Sequence, residues 1–260
     1  MNNLYTFSEI KNWLFFDIET ASEYPSFSVL NEKNPAKAKL WSHRCEYLRR
    51  RYMENEILTD DQLYQLKAGL HAEFASPVCV AFGIVTSADV EAPATAQILS
   101  YKNAGGDVGE TELLKSFMKL VGDFETSLDN KGRLKYARMC GHNIKRFDVP
   151  FLCKRAMMRN VSLPDLMLVH NKKPWDMPFV DTSELWSFGA WQESFASLDL
   201  LANTLGVPSS KVDTDGSQVQ AQYWERGDID GIDRYCKLDV TATINVVLRL
   251  SGYQMIGEIK

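Results

Sequence analysis

From Asn12 the chain runs through Trp13, Leu14, Phe15 and Phe16 before it reaches Asp17-Ile18-Glu19-Thr20. An unbroken apolar run ending in carboxylates predicts a central strand over 12–17, covered on both faces. The next long pattern differs in kind. Between residues 31 and 52, Leu40, Trp41, Tyr47, Leu48 and Tyr52 recur at helical spacing on a polar, basic background, which predicts a helix with one packed side. Thr59, ahead of Asp60 and Asp61, reads as the N-cap of a second helix reaching residue 70. Residues 77–86 and 96–101 are β-branched and apolar and predict a hairpin with a loose loop. Over 111–126, Leu113, Leu114, Phe117, Met118, Leu120, Val121 and Phe124 share one helical face. A strand over 134–141, a helix over 145–159 and a short strand over 179–182 follow. Four helices then close the chain, at 183–188, 197–205, 212–225 and 229–250. This order is that of an α/β domain with a mixed sheet. The segment at about 21–76 reads as a helical insertion after strand one rather than a domain, because about 55 residues make a thin core.

A chain of 260 residues, 45 % hydrophobic and 24 % charged, has the make-up of an ordinary soluble globular protein. No run approaches the ~18 apolar residues of a membrane span, and Met1-Asn2-Asn3-Leu4 lacks the basic and apolar regions of a secretory signal, so a cytoplasmic location is expected. Cys45, Cys79, Cys140, Cys153 and Cys236 form no C-x-x-C pair, and most are expected as buried thiols. A net charge of −5 weighs against a polyanionic partner until its distribution is considered. Between residues 33 and 52, Lys33, Lys37, Lys39, Arg44, Arg49, Arg50 and Arg51 face Glu46 alone. Neither G-x-x-x-x-G-K-[ST] nor G-x-G-x-x-G occurs, so no phosphate-cradling loop is indicated.

On a strand, side chains two apart point the same way, so Asp17 and Glu19 stand side by side. Two like charges that close call for a cation, which makes them half of a divalent-metal site. The triplet alone is weak evidence: with 34 acidic residues in 260, chance supplies about one D-x-E per chain. Asp123-Phe124-Glu125-Thr126 even repeats it, but on a helical pattern, where residues two apart diverge by about 200°. Asp123 and Glu125 are expected as solvated surface charges. A second piece is Gly141-His142-Asn143 followed by Phe147-Asp148, although Asp148 also reads as an ordinary acidic residue at a helix start. A third is Tyr235 with Asp239, four apart on one helical face, although a buried tyrosine near a helix charge would look the same.

In that order the three pieces resemble the motifs of the DEDD 3′-5′ exonuclease superfamily. Tyr235 points to the DEDDy branch; the histidine branch has its His where this chain has Arg234. Asp181-Thr182, Leu198-Asp199-Leu200-Leu201 before Leu205-Gly206, Lys211, Asp213, Asp215-Gly216, Tyr235-Cys236 and Asp239-Val240 resemble the proofreading exonuclease domain of family B DNA polymerases. The likeness covers about residues 12–20 and 77–250. No polymerase domain follows and 21–76 has no counterpart, so the stand-alone form is the nearer match.

The resemblance implies a ribonuclease H-like fold, with a five-stranded mixed sheet flanked by helices in one exonuclease domain over 1–260. It also implies two divalent cations, Mg²⁺ or Mn²⁺. Asp17 would bridge both, Glu19 and Asp239 would complete the site of the water-activating ion, and Asp148 would hold the second through water. Tyr235 would orient the attacking water, while Asn143, Phe147 and Thr20 would position the terminal nucleotides; Phe147 reads equally well as core. The implied reaction is hydrolysis of single-stranded DNA from its 3′ end to nucleoside 5′-monophosphates, with an unknown polymerase or repair partner. RNA as substrate, a non-catalytic nucleic-acid-binding module, and a nuclease acting internally remain open. The basic helix over 33–51, with Lys145, Arg146, Lys154 and Arg155, offers a track for a phosphate backbone, and Trp41 or Tyr47 a ring for a base. A solvated helix with an apolar underside is the other reading. His43, His71 and His170 lack metal-ligand spacing, and His142 reads as loop support.

Overall fold

The computed structural model describes residues 4–52, 58–173, 176–190, 196–211 and 216–259. A short helix α1 (Phe7–Ile10) leads into β1 (Trp13–Ser22), the strand on which everything else is laid. Its side chains alternate strictly. Leu14, Phe16 and Ile18 enter one core with Phe117 and Leu152, and Trp13 and Phe15 enter a second with Cys236, Val240 and Ile244. Covering on both faces is what the unbroken apolar run demands.

β1 continues to Ser22, past the expected end at residue 17. Its polar second half hid the continuation, which is secured by antiparallel pairing with β2 (Ala75–Ser87): Asp17 lies opposite Ala81, Glu19 opposite Cys79 and Ser22 opposite Ala75, with an irregularity between Glu19 and Thr20. The insertion between these strands holds α2 (Phe27–Lys33), α3 (Pro35–Tyr52) and α4 (Asp60–Lys67). The single helix expected over 31–52 is therefore two, broken at Asn34 before Pro35, since the residue preceding a proline disfavours helical backbone. Thr59 caps α4 as expected, in a capping box with Gln62. Leu30, Trp41, Leu63, Tyr64 and Phe74 give the insertion a small core of its own.

β3 (Ala94–Lys102) completes the hairpin, and α5 (Gly106–Asp129) crosses one face of the sheet. β4 (Arg138–Gly141) starts later than expected, because 134–136 is a 3-10 turn; α6 (Asp148–Met158) also starts later, after a turn at 143–147. β5 (Phe179–Asp181), α7 (Thr182–Ser187) and α8 (Leu198–Leu205) follow. Of the helix expected over 212–225, residues 212–215 lie outside the described residues, and the rest is a 3-10 turn, α9 (Val219–Ala221) and a π-helical turn over Gln222–Arg226. α10 (Ile229–Leu250) covers the second face, and β6 (Ile256–Ile259) ends the described chain.

The sheet order is β5-β4-β1-β2-β3-β6. β1, β4 and β5 run parallel and β2 runs antiparallel to β1 and β3, a ribonuclease H-like arrangement. It has six strands rather than the five expected. The sixth, β6, adds parallel to the outer edge of β3 at Ala94–Ala96, and four residues reading Ile-Gly-Glu-Ile are too short to show a strand period. The five cysteines are free thiols, all buried except half-buried Cys153, as expected. Among the described residues no helix is long and apolar enough to cross a membrane.

Candidate active site

β4 pairs with β1 only as far as Phe15 and stops at Gly141, so beyond Phe16 one edge of β1 loses its neighbour. Open α/β sheets place their ligands in such a crevice, beyond the carboxyl ends of parallel strands. A Cβ on Gly141 would stand 2.1 Å from Ile144 Cγ2 and 2.7 Å from the Phe16 carbonyl, so only glycine lets the chain turn away this close to β1. Asn143 follows with φ 59°, a left-handed conformation that asparagine tolerates, and its N–H donates to Asp181 at 2.8 Å. Asp181 also accepts from the Lys145 N–H, and His142 Nδ1 lies 2.9 Å from the Thr182 hydroxyl, the loop-supporting place expected of it.

The turn delivers Asp148 to the free edge of β1. Its carboxylate accepts the Ile18 N–H at 3.1 Å, occupying a backbone donor between Asp17 and Glu19. Asp17 and Glu19 themselves project from the other face, toward α10. There Asp239 completes a cluster: one carboxylate oxygen from each of Asp17, Glu19 and Asp239 lies within 4.8 Å of the others. Asp148 is beside this trio rather than in it. Tyr235, one helical turn before Asp239, is buried on the same helix face. The D-x-E repeat on α5 behaves as geometry requires: Asp123 is exposed and ion-paired to Lys119, although Glu125 is half-buried.

The electrostatics follow from three carboxylates in one crevice, Asp17 and Glu19 half-buried and Asp239 buried. Burial, then the charges of Asp239, Asp148 and Glu19, hold the Asp17 carboxyl well above the usual range. Burial pushes Asp148 up to about 8 against the opposing pull of its backbone hydrogen bonds, and Asp239 is also raised by burial despite Ser210, Tyr235 and Lys211. The Tyr235 phenol is raised by burial and by the charges of Asp239 and Glu19, so it keeps its proton. Cys236 lies with Sγ 3.4 Å from an Asp17 carboxylate oxygen, and burial keeps this thiol protonated. The donors available are therefore carboxylate oxygens, with neither imidazole nor thiolate among them. Such a set fits a hard divalent cation, which would restore the carboxylates to their charged forms.

On the Asp239 side of the trio, Ser197, Leu198, Asp199, Ser210, Lys211 and Gly216 join Tyr235 and Asp239 in lining a cavity of about 230 Å³. Asp213 and Asp215 lie outside the described residues. Sequence reasoning gave no role to Ser210, which lines that cavity with Asp239, or to Cys236; Cys236 adjoins Tyr235, but nothing in spacing marks Ser210. Among the proposed nucleotide contacts, Thr20 gives its hydroxyl to the Gly69 carbonyl at 2.7 Å. Phe147 is half-buried against the core with Phe151 at 5.5 Å between ring centroids, in keeping with the core reading.

Two expectations about a phosphate track are corrected. Trp41 is fully buried, its ring packed on Tyr64 and Phe74 and its indole N–H given to the Asp60 carbonyl, so it cannot stack a base. Arg155 is fully buried and bonded to Glu110 and Glu23, so it cannot reach a phosphate. Lys37 and Arg49 are likewise engaged, with Glu23 and Asp60. Tyr47 remains exposed, with the Arg44 guanidinium 5.1 Å from its ring centre. The Arg51 and Tyr52 side chains lie outside the described residues.

A sheet of this order that gathers acidic side chains beyond its central strand offers a place for a divalent cation. Residues 76–259 match the model of a family described as a predicted 3′-5′ exonuclease related to the exonuclease domain of PolB, and the chain belongs to that family. The match includes Asp148, Tyr235 and Asp239, while Asp17, Glu19 and the insertion precede it. Among solved structures, the family B DNA polymerase from the hyperthermophilic archaeon Pyrobaculum calidifontis aligns with a TM-score of 0.49 and 18 % identity, over 89 % of this chain and 23 % of the polymerase. The chain thus spans about a quarter of that polymerase's length. No curated protein matches.

Proposed function

We propose that this chain is a metal-dependent 3′-5′ exonuclease that hydrolyses single-stranded DNA from the 3′ end to nucleoside 5′-monophosphates, with its whole length forming one exonuclease domain. The observation that carries the reading is the approach of Asp17, Glu19 and Asp239 within 4.8 Å, with Tyr235 one helical turn from Asp239. Asp17, Glu19 and Asp239 would hold one Mg²⁺ or Mn²⁺, and Asp17 with Asp148, the latter through water, a second. Bound there, the cations supply the Lewis acidity that makes a water nucleophilic near neutral pH and that neutralises the leaving oxygen.

The chain's own groups do the rest. Tyr235, kept protonated, orients the water as a hydrogen-bond donor and does not act as its base. Asp148 fixes the Ile18 amide and hence the spacing of Asp17 and Glu19. Asn143 and Thr20 would position the terminal nucleotide.

A single strand labelled at its 5′ end, incubated with Mg²⁺ or Mn²⁺, should give a ladder shortened from the 3′ end. EDTA or Asp17→Ala should abolish it, and undiminished cleavage in either case would overturn the proposal. A matched RNA strand degraded faster than DNA would make the enzyme an exoribonuclease. Cleavage of circular single strands would indicate internal action, and a mobility shift without products a binding module.

A further inference from the structure

Immediately beyond the catalytic strand, the insertion and α6 meet at one corner of the surface. The Thr20 hydroxyl holds the Gly69 carbonyl at 2.7 Å, so the turn 68–71 forms a lip one residue from Glu19. The same segment is fastened to α6, with Arg155 Nη1 on the Ala72 carbonyl at 2.8 Å and Lys154 Nζ 3.3 Å from Glu73. His71 sits in this corner, its ring 6.0 Å from the buried Trp41 ring.

The charges here have one sign in excess. Arg44 from α3, Lys67 from α4 and Lys154 from α6 all act on His71, with Glu73 the acidic group facing them. Burial and those three cations hold His71 down at about 4, so it is neutral at physiological pH and the corner is net positive by two. Arg44 and Lys154 are exposed and Lys67 half-exposed. Leu66 and Leu70, on either side of Lys67 and the lip, are 59 % and 54 % exposed. A corner that sets cations beside exposed apolar side chains matches a single strand, which offers phosphates on one side and bases on the other.

We infer that Arg44, Lys67 and Lys154, together with the lip at Leu70, bind the nucleotides upstream of the scissile 3′ end, so that the insertion is a strand-guiding element. This rests on the nuclease reading above, and narrows the basic track from the length of α3 to this corner. Reversing the three cations to Glu should weaken binding of a fluorescent 20-nucleotide strand, measured by anisotropy in EDTA, by at least about tenfold for any sequence. It should also lower the magnitude of the log K against log salt slope by about 2, at about 0.7 per lost contact on a single strand. KM for long strands should rise, while hydrolysis of thymidine 5′-p-nitrophenyl phosphate, which does not reach the corner, stays unchanged.

Arg44→Gln with Lys154→Gln, both at exposed sites, should give a smaller loss in the same direction. Lys115→Glu with Lys119→Glu on exposed α5 should alter neither affinity nor slope. Unchanged affinity and slope in the triple variant, or an equal loss in the α5 control, would overturn the inference. An unmodified protein that binds strands but never cleaves them would overturn the nuclease reading and leave the inference to be judged on anisotropy. Cleavage with no effect of the corner variants would do the reverse.

Discussion

Arg155→Met removes a guanidinium whose side chain is fully buried. Its Nε and Nη2 meet Glu110 at 2.5 and 2.7 Å, and Nη1 meets Glu23 and the Ala72 carbonyl at 2.8 Å each. Methionine fills much of the same space but leaves Glu110, only 1 % exposed, to Arg159 and the Ser76 hydroxyl. Breaking a buried pair costs about 3–5 kcal/mol because the remaining charge is uncompensated, and the surviving Arg159 contact places this case near about 3 kcal/mol. In a chain of this size that corresponds to a fall of roughly 6–12 °C in melting temperature. Equilibrium urea unfolding should show it as a shift in midpoint at constant slope. Glu110→Gln should cost less, and the double variant should fall short of the summed single losses by at least about 1 kcal/mol. The network joins the end of β1 to α6 seven residues beyond Asp148, about 10 Å along the helix, so Mg²⁺ binding should weaken alongside stability. An Arg155→Met loss below about 1 kcal/mol, or full additivity in the double variant, would refute the reasoning.

Tyr235→Phe should lower kcat by roughly 10²-fold while leaving Mg²⁺ affinity within a factor of about three, by calorimetry, because the role proposed for the phenol is to orient water and not to bind metal. Gly141→Ala should cost about 1–3 kcal/mol or more in urea unfolding, since its Cβ would strike Ile144 Cγ2 and the Phe16 carbonyl; a neutral effect would mean the crevice is not held by that turn. The raised carboxyls give a pH signature. Between an unfolded value near 4 and the folded value of about 8, Asp148 binds more protons folded than unfolded, so stability is lost as pH rises through that window. His71, held near 4, works in the opposite direction but only below about pH 6.5. Metal-free protein should therefore melt at a lower temperature at pH 8.5 than at pH 6.5, and Mg²⁺ should stabilise it more at the higher pH, in scanning calorimetry.

The sequence by itself determined what depends on local period. A strand repeat of two placed Asp17 and Glu19 on one face, a helix repeat of 3.6 set Tyr235 above Asp239, and the unbroken run through Phe16 required both faces of β1 to be covered. These hold wherever the segments land, which is why the α5 repeat at Asp123 could be set aside without a structure. Tertiary structure alone decided what depends on where distant segments meet. It brought Asp239 to within 4.8 Å of the first pair, put Asp148 on the Ile18 amide instead of in the trio, and continued β1 to Ser22 through its pairing with β2. It also buried Trp41 and Arg155, which a basic, aromatic stretch had offered as ligands of a phosphate chain. A side chain's polarity is fixed by its covalent structure, but its access to solvent and its proton affinity depend on neighbours that are remote along the chain.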